Sequence, residues 1–216
     1  MVGQCYRDIY SNLLLLPNKF NFLFQKFIVW PLFKSKTAPL DLHLGSGKQY
    51  LEGFVNIDTN IFNRKDMWLD IRNGFPFLEN SVDSVYAHML FEHLYPAELI
   101  FILKESYRVL KKGGGLRICV PNLAAAINGY MAGDLSWVSG FPRSFESLGG
   151  KFYNFIFCDG QHRICFDFSL LKELLTQAGF QDIAKMDFNV SRIYPEGKIK
   201  EWNLDDINLY VECFKR

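Results

Sequence analysis

The sequence has 216 residues, of which 49% are hydrophobic, and 24 lysines and arginines stand against 23 acidic residues. This length and composition predict one compact domain with a sizeable core. The formal charge of +1 gives no field that would hold a polyanion, so nucleic acid is not expected as a partner. The five cysteines include no Cys-x-x-Cys pair and no zinc-binding spacing, which indicates reduced residues in a cytoplasmic protein.

Residues 1–37 are rich in apolar and aromatic side chains, and no acidic residue lies between Asp8 and Asp41. The longest apolar runs are too short for a secretory signal or a membrane span. Because an aromatic stripe at helical spacing usually belongs to a core, we predict that this segment is helical and packs on the sheet formed by residues 38–216. The alternative is a peripheral membrane anchor, since lysines accompany the aromatic residues.

Seven short apolar segments alternate with helical patterns after the N-terminal segment, which predicts a doubly wound α/β sheet. The strands are expected near residues 40–44, 54–58, 66–69, 83–88, 116–120, 181–188 and 208–214. Nine residues separate Leu44 from Phe54, whereas a parallel crossover normally needs a dozen or more. The link from Asp58 to Asp66 is equally brief. Helices after the first two strands should therefore be reduced to turns.

Three helices are predicted further along the chain. The clearest runs from Pro96 to Lys111, with proline in its first turn. Gly113 would end it by adopting the left-handed backbone conformation. A second runs over 169–178, with Ser169 as its N-cap. Residues 122–131 are the third.

A glycine-containing loop follows the first predicted strand, and a carboxylate ends the second. The loop is Gly45-Ser46-Gly47, and the carboxylate is Asp58. Glycines there let a ligand approach the backbone, and an acid on the next strand can accept both hydroxyls of a ribose. This pattern predicts an adenosine-containing cofactor, although an Asx-turn is an alternative role for Asp58.

The loop does not fit two other nucleotide-binding patterns. A dinucleotide fingerprint needs a third glycine where Tyr50 stands and an acid about 20 residues on, whereas 13 positions separate Gly45 from Asp58. A Walker-type loop needs a hydroxyl residue where Gln49 stands. Dinucleotide and nucleoside triphosphate binding are both disfavoured.

Further motifs follow in order: Asp70-Ile71, Phe75-Pro76-Phe77, Val82-Asp83, Glu92-His93-Leu94 and Arg108-Val109-Leu110-Lys111-Lys112-Gly113-Gly114. With the glycine loop, they resemble the class I S-adenosylmethionine-dependent methyltransferases, in particular the type 11 branch, over residues 38–216. Lys112 replaces the usual proline, and His43 stands where many members carry an acid. The resemblance implies a Rossmann-like, mostly parallel seven-stranded sheet with an antiparallel C-terminal strand.

S-adenosylmethionine is the cofactor that this resemblance implies. The loop would approach the methionine portion and Asp58 the ribose, while Asp70 and the Ile71 backbone would bind the adenine amino group. A neutral His43 could accept one hydrogen bond but supplies no negative charge. The cofactor-binding candidates are Gly45, Ser46, Gly47, Asp58, Asp70, Ile71, His43 and His88.

Methyl transfer is an in-line displacement that depends largely on alignment, so no metal is expected. His93 and His162 are candidate general bases, because histidine titrates near neutrality. Glu92 could orient His93 or the acceptor. Structural roles are the alternative for all three residues. The aromatic stretch 122–165 is expected to be a cap on the acceptor side, with a helical core insert as an equal alternative.

The resemblance favours methyl transfer to a small-molecule or glycan acceptor, at oxygen, as in small methyltransferases of glycan and cell-surface polysaccharide pathways. No Asn/Asp-Pro-Pro-Tyr box of nucleic-acid amino methylation is present. The alternative is a noncatalytic binding or assembly module, because the acid before the loop is absent and the first crossovers are short.

Overall fold

The computed structural model describes residues 39–195, 197–198 and 207–216, together with Phe20, Leu23 and Phe24. One sheet has the strand order β3-β2-β1-β4-β5-β7-β6. Its strands are β1 (Asp41–Leu44), β2 (Phe54–Asp58), β3 (Met67–Trp68), β4 (Val82–His88), β5 (Leu110–Pro121), β6 (Gln181–Met186) and β7 (Asn208–Phe214). Strands β1 to β5 pair in parallel, whereas β7 is antiparallel to β5 and β6. The predicted fold class is confirmed.

Four α-helices accompany the sheet in the described part of the chain. They are α1 (Pro96–Val109), α2 (Leu123–Ala132), α3 (Leu148–Phe157) and α4 (Phe168–Gln177). Neither 45–53 nor 59–66 contains a helix, as the short crossovers predict. Within the described residues, no helix is long and apolar enough to cross a membrane.

The predicted position of the N-terminal segment stays a prediction. Of residues 1–37, only Phe20, Leu23 and Phe24 are described, and they are helical. The rest of the segment lies outside the described residues.

Helix α1 is shorter than the sequence indicates. It ends at Val109, not Lys111, because Leu110 turns to extended backbone with ψ 139° and pairs with Val82 of β4. Residues 110–112 therefore belong to β5, which starts earlier than predicted. Gly113, with φ +80°, lies within β5 and is not the helix exit.

Helix α4 begins one residue earlier than predicted and has a different cap. The N-cap is Asp167, whose Oδ1 accepts a hydrogen bond from the Leu170 N–H at 2.8 Å. The predicted cap, Ser169, instead donates its hydroxyl to the Asp167 carboxylate. Aspartate and serine cap helices about equally well, and in the structure the Asp167 carboxylate is the group that bonds the first-turn N–H.

The two faces of the sheet differ in polarity because successive side chains point to opposite faces. Helices α1 and α4 pack on the apolar face, where they bury Leu99 and Leu171 among strand residues of one core cluster. The strand residues of that face include Leu42, Leu44, Val85, Ile118 and Val211. Burial of this surface stabilises the domain at roughly 25 cal/mol per Å².

The opposite face carries buried polar groups. Ser84 Oγ donates to Asp41 Oδ1 at 2.6 Å, and Lys198 Nζ lies 2.8 Å from Asp41 Oδ2. Further along, Arg117 Nη1 of β5 lies 2.8 Å from Glu212 Oε1 of β7, and both side chains are fully buried. The side chains on this face are therefore held by paired charges and hydrogen bonds.

The Arg117→Met variant should be strongly destabilised, because it leaves the buried Glu212 carboxylate with the partly exposed Arg192 guanidinium, 3.7 Å away, as its remaining cationic partner. Removing one member of a buried pair costs about 3–5 kcal/mol. Urea unfolding followed by circular dichroism measures this loss. The double variant Arg117→Met/Glu212→Leu should recover much of the lost stability. Equal stability of the single variant and the native protein would contradict this account of the polar face.

Candidate functional site

The candidate site lies where the parallel strands β2, β1 and β4 end side by side. Leu44 of β1 is level with Ile57 of β2 and with Ala87 of β4. The next residues, Gly45, Asp58 and His88, therefore lie side by side at the carboxyl ends of these strands. Strand order reverses around β1, and such a switch point is the usual ligand crevice of an open α/β sheet.

The glycine loop has the backbone that the sequence predicts. Gly45 has φ +62° and Gly47 has φ +54°, a region that side chains other than glycine rarely adopt. A Cβ on Gly45 would lie 2.6 Å from the Leu90 side chain. Ser46 is buried, and its Oγ has no hydrogen-bond partner among the described residues. The loop thus offers a buried hydroxyl and a close approach to backbone.

Asp58 ties the loop to the end of β2. Its Oδ2 accepts a hydrogen bond from the Gly47 N–H at 2.8 Å, and its Oδ1 accepts one from the Asn60 N–H at 2.6 Å. The second bond is the Asx-turn that the sequence left open as an alternative. A carboxylate has about four acceptor positions, so two remain for the hydroxyls of a ribose. The turn and ribose binding are compatible.

Asp70 and Ile71 follow β3 at the same edge. Asp70 is 4% exposed and caps the short 3-10 helix Ile71–Asn73 by accepting from the Arg72 N–H at 3.0 Å. The Arg72 guanidinium also lies 2.7 Å from Asp70 Oδ2. Arg72 was not predicted as part of the site, although it fixes the orientation of this carboxylate.

His43 and His88 point to the polar face of the sheet. His43 Nδ1 lies 3.0 Å from Asn56 Oδ1, and burial lowers the pKa of His43 to about 4. Burial, with a smaller effect of Arg117, also lowers the pKa of His88 to about 4. Both imidazoles are therefore neutral at pH 7. The Nε2 atom of His88 is buried without a hydrogen-bond partner among the described residues.

The three predicted catalytic residues come together, although His162 lies 69 positions after His93 in the sequence. Glu92, His93 and His162 each offer a ligand atom, and these atoms lie within 4.8 Å of one another. Glu92 Oε1 lies 3.9 Å from His93 Nε2, and the two imidazole rings are 5.2 Å apart in an edge-on arrangement. We call these three residues the Glu-His-His cluster.

The charges of the cluster are set mainly by burial. Burial raises the pKa of Glu92 to about 8, so its carboxyl is mostly protonated at pH 7. Burial and the neighbouring His93 lower the pKa of His162 to about 4. His162 is therefore a neutral imidazole that can accept a proton or coordinate an ion. The roles of the three residues remain predictions.

Backbone contacts hold the cluster together, and the Leu90 side chain connects it to the glycine loop. The Glu92 carbonyl accepts hydrogen bonds from the N–H groups of Arg163 at 2.7 Å and Ile164 at 3.4 Å. The Leu90 side chain, two residues before Glu92, is the group that a Cβ on Gly45 would strike. The cofactor candidates and the cluster consequently share one edge of the sheet.

An apolar cleft lies beside His162. Its walls include Pro121, Leu123, Phe155, Ile156, Ile164 and Phe166. The flanking segment 122–165 contains α2 and α3, which are joined by the ring contact of Tyr130 with Phe152 at 5.1 Å. Trp137, which follows α2, contacts Phe155 of α3 at 5.2 Å. This segment forms one wall of the cleft, and whether it covers a bound acceptor remains a prediction.

Comparison with known proteins agrees with this arrangement. Residues 62–118 match the type 11 family described as a methyltransferase domain. No curated protein matches the sequence. A S-adenosylmethionine-dependent methyltransferase from Archaeoglobus fulgidus has a similar structure, with a TM-score of 0.50, 16% identity and coverage of 94% of this chain and 99% of that one.

A second similar structure comes from Thermotoga maritima and is described as a S-adenosylmethionine-dependent methyltransferase, possible histamine N-methyltransferase. Its TM-score is 0.51 at 17% identity, with coverage of 98% of this chain and 96% of the other. The fold is that of the class I methyltransferases. Residues 62–118 therefore match a methyltransferase domain, and the described fold is similar to that of these two methyltransferases.

Asn56 is the main site residue that sequence analysis missed. Its Oδ1 faces His43, and it also accepts from the Leu51 N–H at 2.9 Å. The signal was an amide between Val55 and Ile57 in an otherwise apolar strand. A polar residue at such a position must find partners, because an unpaired buried amide is costly.

Acid should destabilise the protein through His88. Between pH 6.5 and about 4, His88 is protonated in the unfolded chain but stays neutral in the folded protein. The free energy of unfolding therefore falls as pH falls through this range. His88→Gln should remove part of this fall, on the order of 3 kcal/mol. Denaturant unfolding at several pH values measures it. The exposed Gln177→Ala variant should follow the native curve, and a parallel His88→Gln curve would contradict the prediction.

Proposed function

We propose that the protein catalyses transfer of a methyl group from S-adenosylmethionine to an oxygen atom of a small-molecule or glycan acceptor. The observation that carries the proposal is the placement of the glycine loop and Asp58 beside the Glu-His-His cluster, at the switch point of a methyltransferase-like sheet. A cofactor site and proton-accepting groups at one edge are what methyl transfer to a hydroxyl requires.

The residues at the ends of β1, β2 and β3 fit the cofactor. The buried Ser46 hydroxyl lacks a partner among the described residues, and the left-handed glycines keep side chains away from a bound ligand. Asp58 retains two acceptor positions for the ribose hydroxyls. Asp70 follows β3, the strand next to β2, and would bind the adenine amino group. When bound, S-adenosylmethionine supplies an activated methyl group on a sulfonium.

The cluster would receive the proton of the acceptor. At neutral pH the His162 imidazole is unprotonated, and it lies at the apolar cleft where an acceptor could be held. A positioned base typically contributes 10²–10⁴-fold to a rate. The largely protonated Glu92 would hold the acceptor or His93 by hydrogen bonding, as long as it keeps its proton.

The acceptor class is inferred from the cleft and from the family resemblance. The walls of the cleft are aromatic and apolar, as in sites that hold sugar rings or other flat molecules, although its volume in this structure is small, about 10 Å³. The near-neutral net charge disfavours a polyanionic acceptor. The free cysteines Cys119, Cys158, Cys165 and Cys213 support a cytoplasmic location.

The Asp58→Ala variant should bind S-adenosylmethionine about 10- to 150-fold more weakly. The reason is the loss of a charged acceptor for the ribose hydroxyls, which contributes about 1.5–3 kcal/mol. Isothermal titration calorimetry gives the dissociation constants, and the exposed Asp187→Ala variant is the matched control. An unchanged dissociation constant in a folded Asp58→Ala protein would leave Asp58 as a turn residue only. Tight binding of NAD with no response to S-adenosylmethionine would end the methyltransferase proposal.

Methyl-labelled cofactor incubated with mixtures of hydroxylated small molecules and oligosaccharides should yield a labelled product detectable by mass spectrometry. His162→Gln should lower the turnover rate by about 100-fold or more, because the proton acceptor is lost, while cofactor affinity stays the same. Glu173→Gln, on the exposed side of α4, is the control. Cofactor binding without labelled product from any acceptor would favour the noncatalytic binding module.

A further inference from the structure

The Glu-His-His cluster has the donor set of a metal site. It combines one carboxylate with two imidazoles, and the three ligand atoms lie within 4.8 Å of one another. Glu92 Oε1 also lies 3.9 Å from His93 Nε2. Three ligands of this kind leave at least one coordination position open, as in catalytic zinc sites.

The histidines are oriented as metal ligands usually are. His93 Nδ1 lies 3.2 Å from the Gln161 carbonyl, and His162 Nδ1 lies 3.1 Å from the Ile156 carbonyl. In metal sites, such a bond from one ring nitrogen to a carbonyl fixes the tautomer and leaves the other nitrogen to coordinate. Both imidazoles of the cluster are held in this way.

An independent observation on Glu92 also points to a missing ligand. The side chain is 2% exposed, and its Oε2 is buried with no hydrogen-bond partner among the described residues. Buried carboxyl oxygens are normally paired or coordinate a metal, because burial without a partner is costly. A cation between Glu92 and the two imidazoles would satisfy this oxygen.

We propose that Glu92, His93 and His162 bind one divalent cation of the zinc class. Zinc ligands at about 2.0–2.1 Å in a tetrahedron lie about 3.4 Å apart, so the side chains must approach slightly. The His93 side chain is 36% exposed, which leaves it room to move. Magnesium is disfavoured, because it prefers oxygen ligands in an octahedron.

The ion would face the cleft beside His162, where its open position could polarise an acceptor oxygen and make the hydroxyl more acidic. The two imidazoles would then hold the ion, and the hydroxyl proton would pass to water instead of to His162. This catalytic use rests on the proposed methyl transfer, whereas binding of the ion does not. The two can therefore be tested separately.

Zinc binding should be measured on the full chain after treatment with EDTA and buffer exchange. Calorimetric titration with zinc chloride alone should show one ion per chain, and magnesium chloride should give no comparable signal. Glu92→Gln and His162→Gln should each weaken zinc binding at least tenfold. Glu173→Gln changes an exposed carboxylate in the same way and should bind zinc as the native protein does. Cobalt substitution adds a visible absorption spectrum that should be lost in both cluster variants.

Absence of zinc binding to the native chain would overturn the proposal. So would tight binding that survives both cluster substitutions, because the ion would then be held elsewhere, for example by cysteines. If Glu92→Gln does not fold, His162→Gln decides the result, since His162 is only partly buried and lies outside the strands. Binding of S-adenosylmethionine to the EDTA-treated protein is measured in parallel, so that a failure of the metal site and a failure of the proposed function give different results.

Discussion

Parallel pairing of β1 with β2 on one side and β4 on the other is the constraint on which the candidate site depends. The register places Leu44 level with both Ile57 and Ala87. As a result, the glycine loop, Asp58 and the segment that leads to Glu92 all begin at one edge. A slip of one residue would turn the side chains of a strand to the opposite face and separate these groups. Such a slip would also place Asn56 in the apolar core.

The buried polar face makes such a slip costly. Arg117 and Glu212 are both fully buried and lie opposite each other in the β5–β7 pairing. Desolvation offsets much of the attraction within such a pair, so its net contribution to stability is small. Separating the partners costs much more than the pair contributes. The same holds for the Asp41 carboxylate with Ser84 and Lys198. The polar face therefore favours one register over its alternatives more than it adds to total stability.

The features that sequence analysis predicted well are local ones. The conformations of strand β1, the loop 45–47 and Asp58 are determined by neighbouring residues. Their spacing in the sequence leaves no room for a helix in either of the first two crossovers. Helix boundaries were less predictable where tertiary pairing competes with helix propensity. Leu110 would continue α1 by its own preference, but pairing with Val82 draws it into β5. The cap at Asp167 was missed because Asp167 and Ser169 are both good caps, and sequence alone gives no reason to choose between them.

The Glu-His-His cluster shows why a metal-like site could not be recognised from spacing. His93 and Gln161 are 68 positions apart, and no short motif connects them. Their proximity depends on the Glu92 carbonyl, which binds the backbone of residues 163 and 164, and on a bridge between Asn122 and Phe166. Both histidines were selected by chemistry alone, as groups that titrate near neutrality. Only the fold could bring them to one place.

The two parts of the candidate site, the glycine loop with Asp58 and the Glu-His-His cluster, are held by different interactions and meet at Leu90. The cofactor part is fixed by short-range bonds from Asp58 to the loop and to Asn60. The acceptor part depends on the loop around His162, whose backbone is bound to Glu92. Leu90 lies between them, since it packs against Gly45 and precedes Glu92 by two residues. The glycine loop and the Glu-His-His cluster are thus joined by direct packing through one short segment of chain.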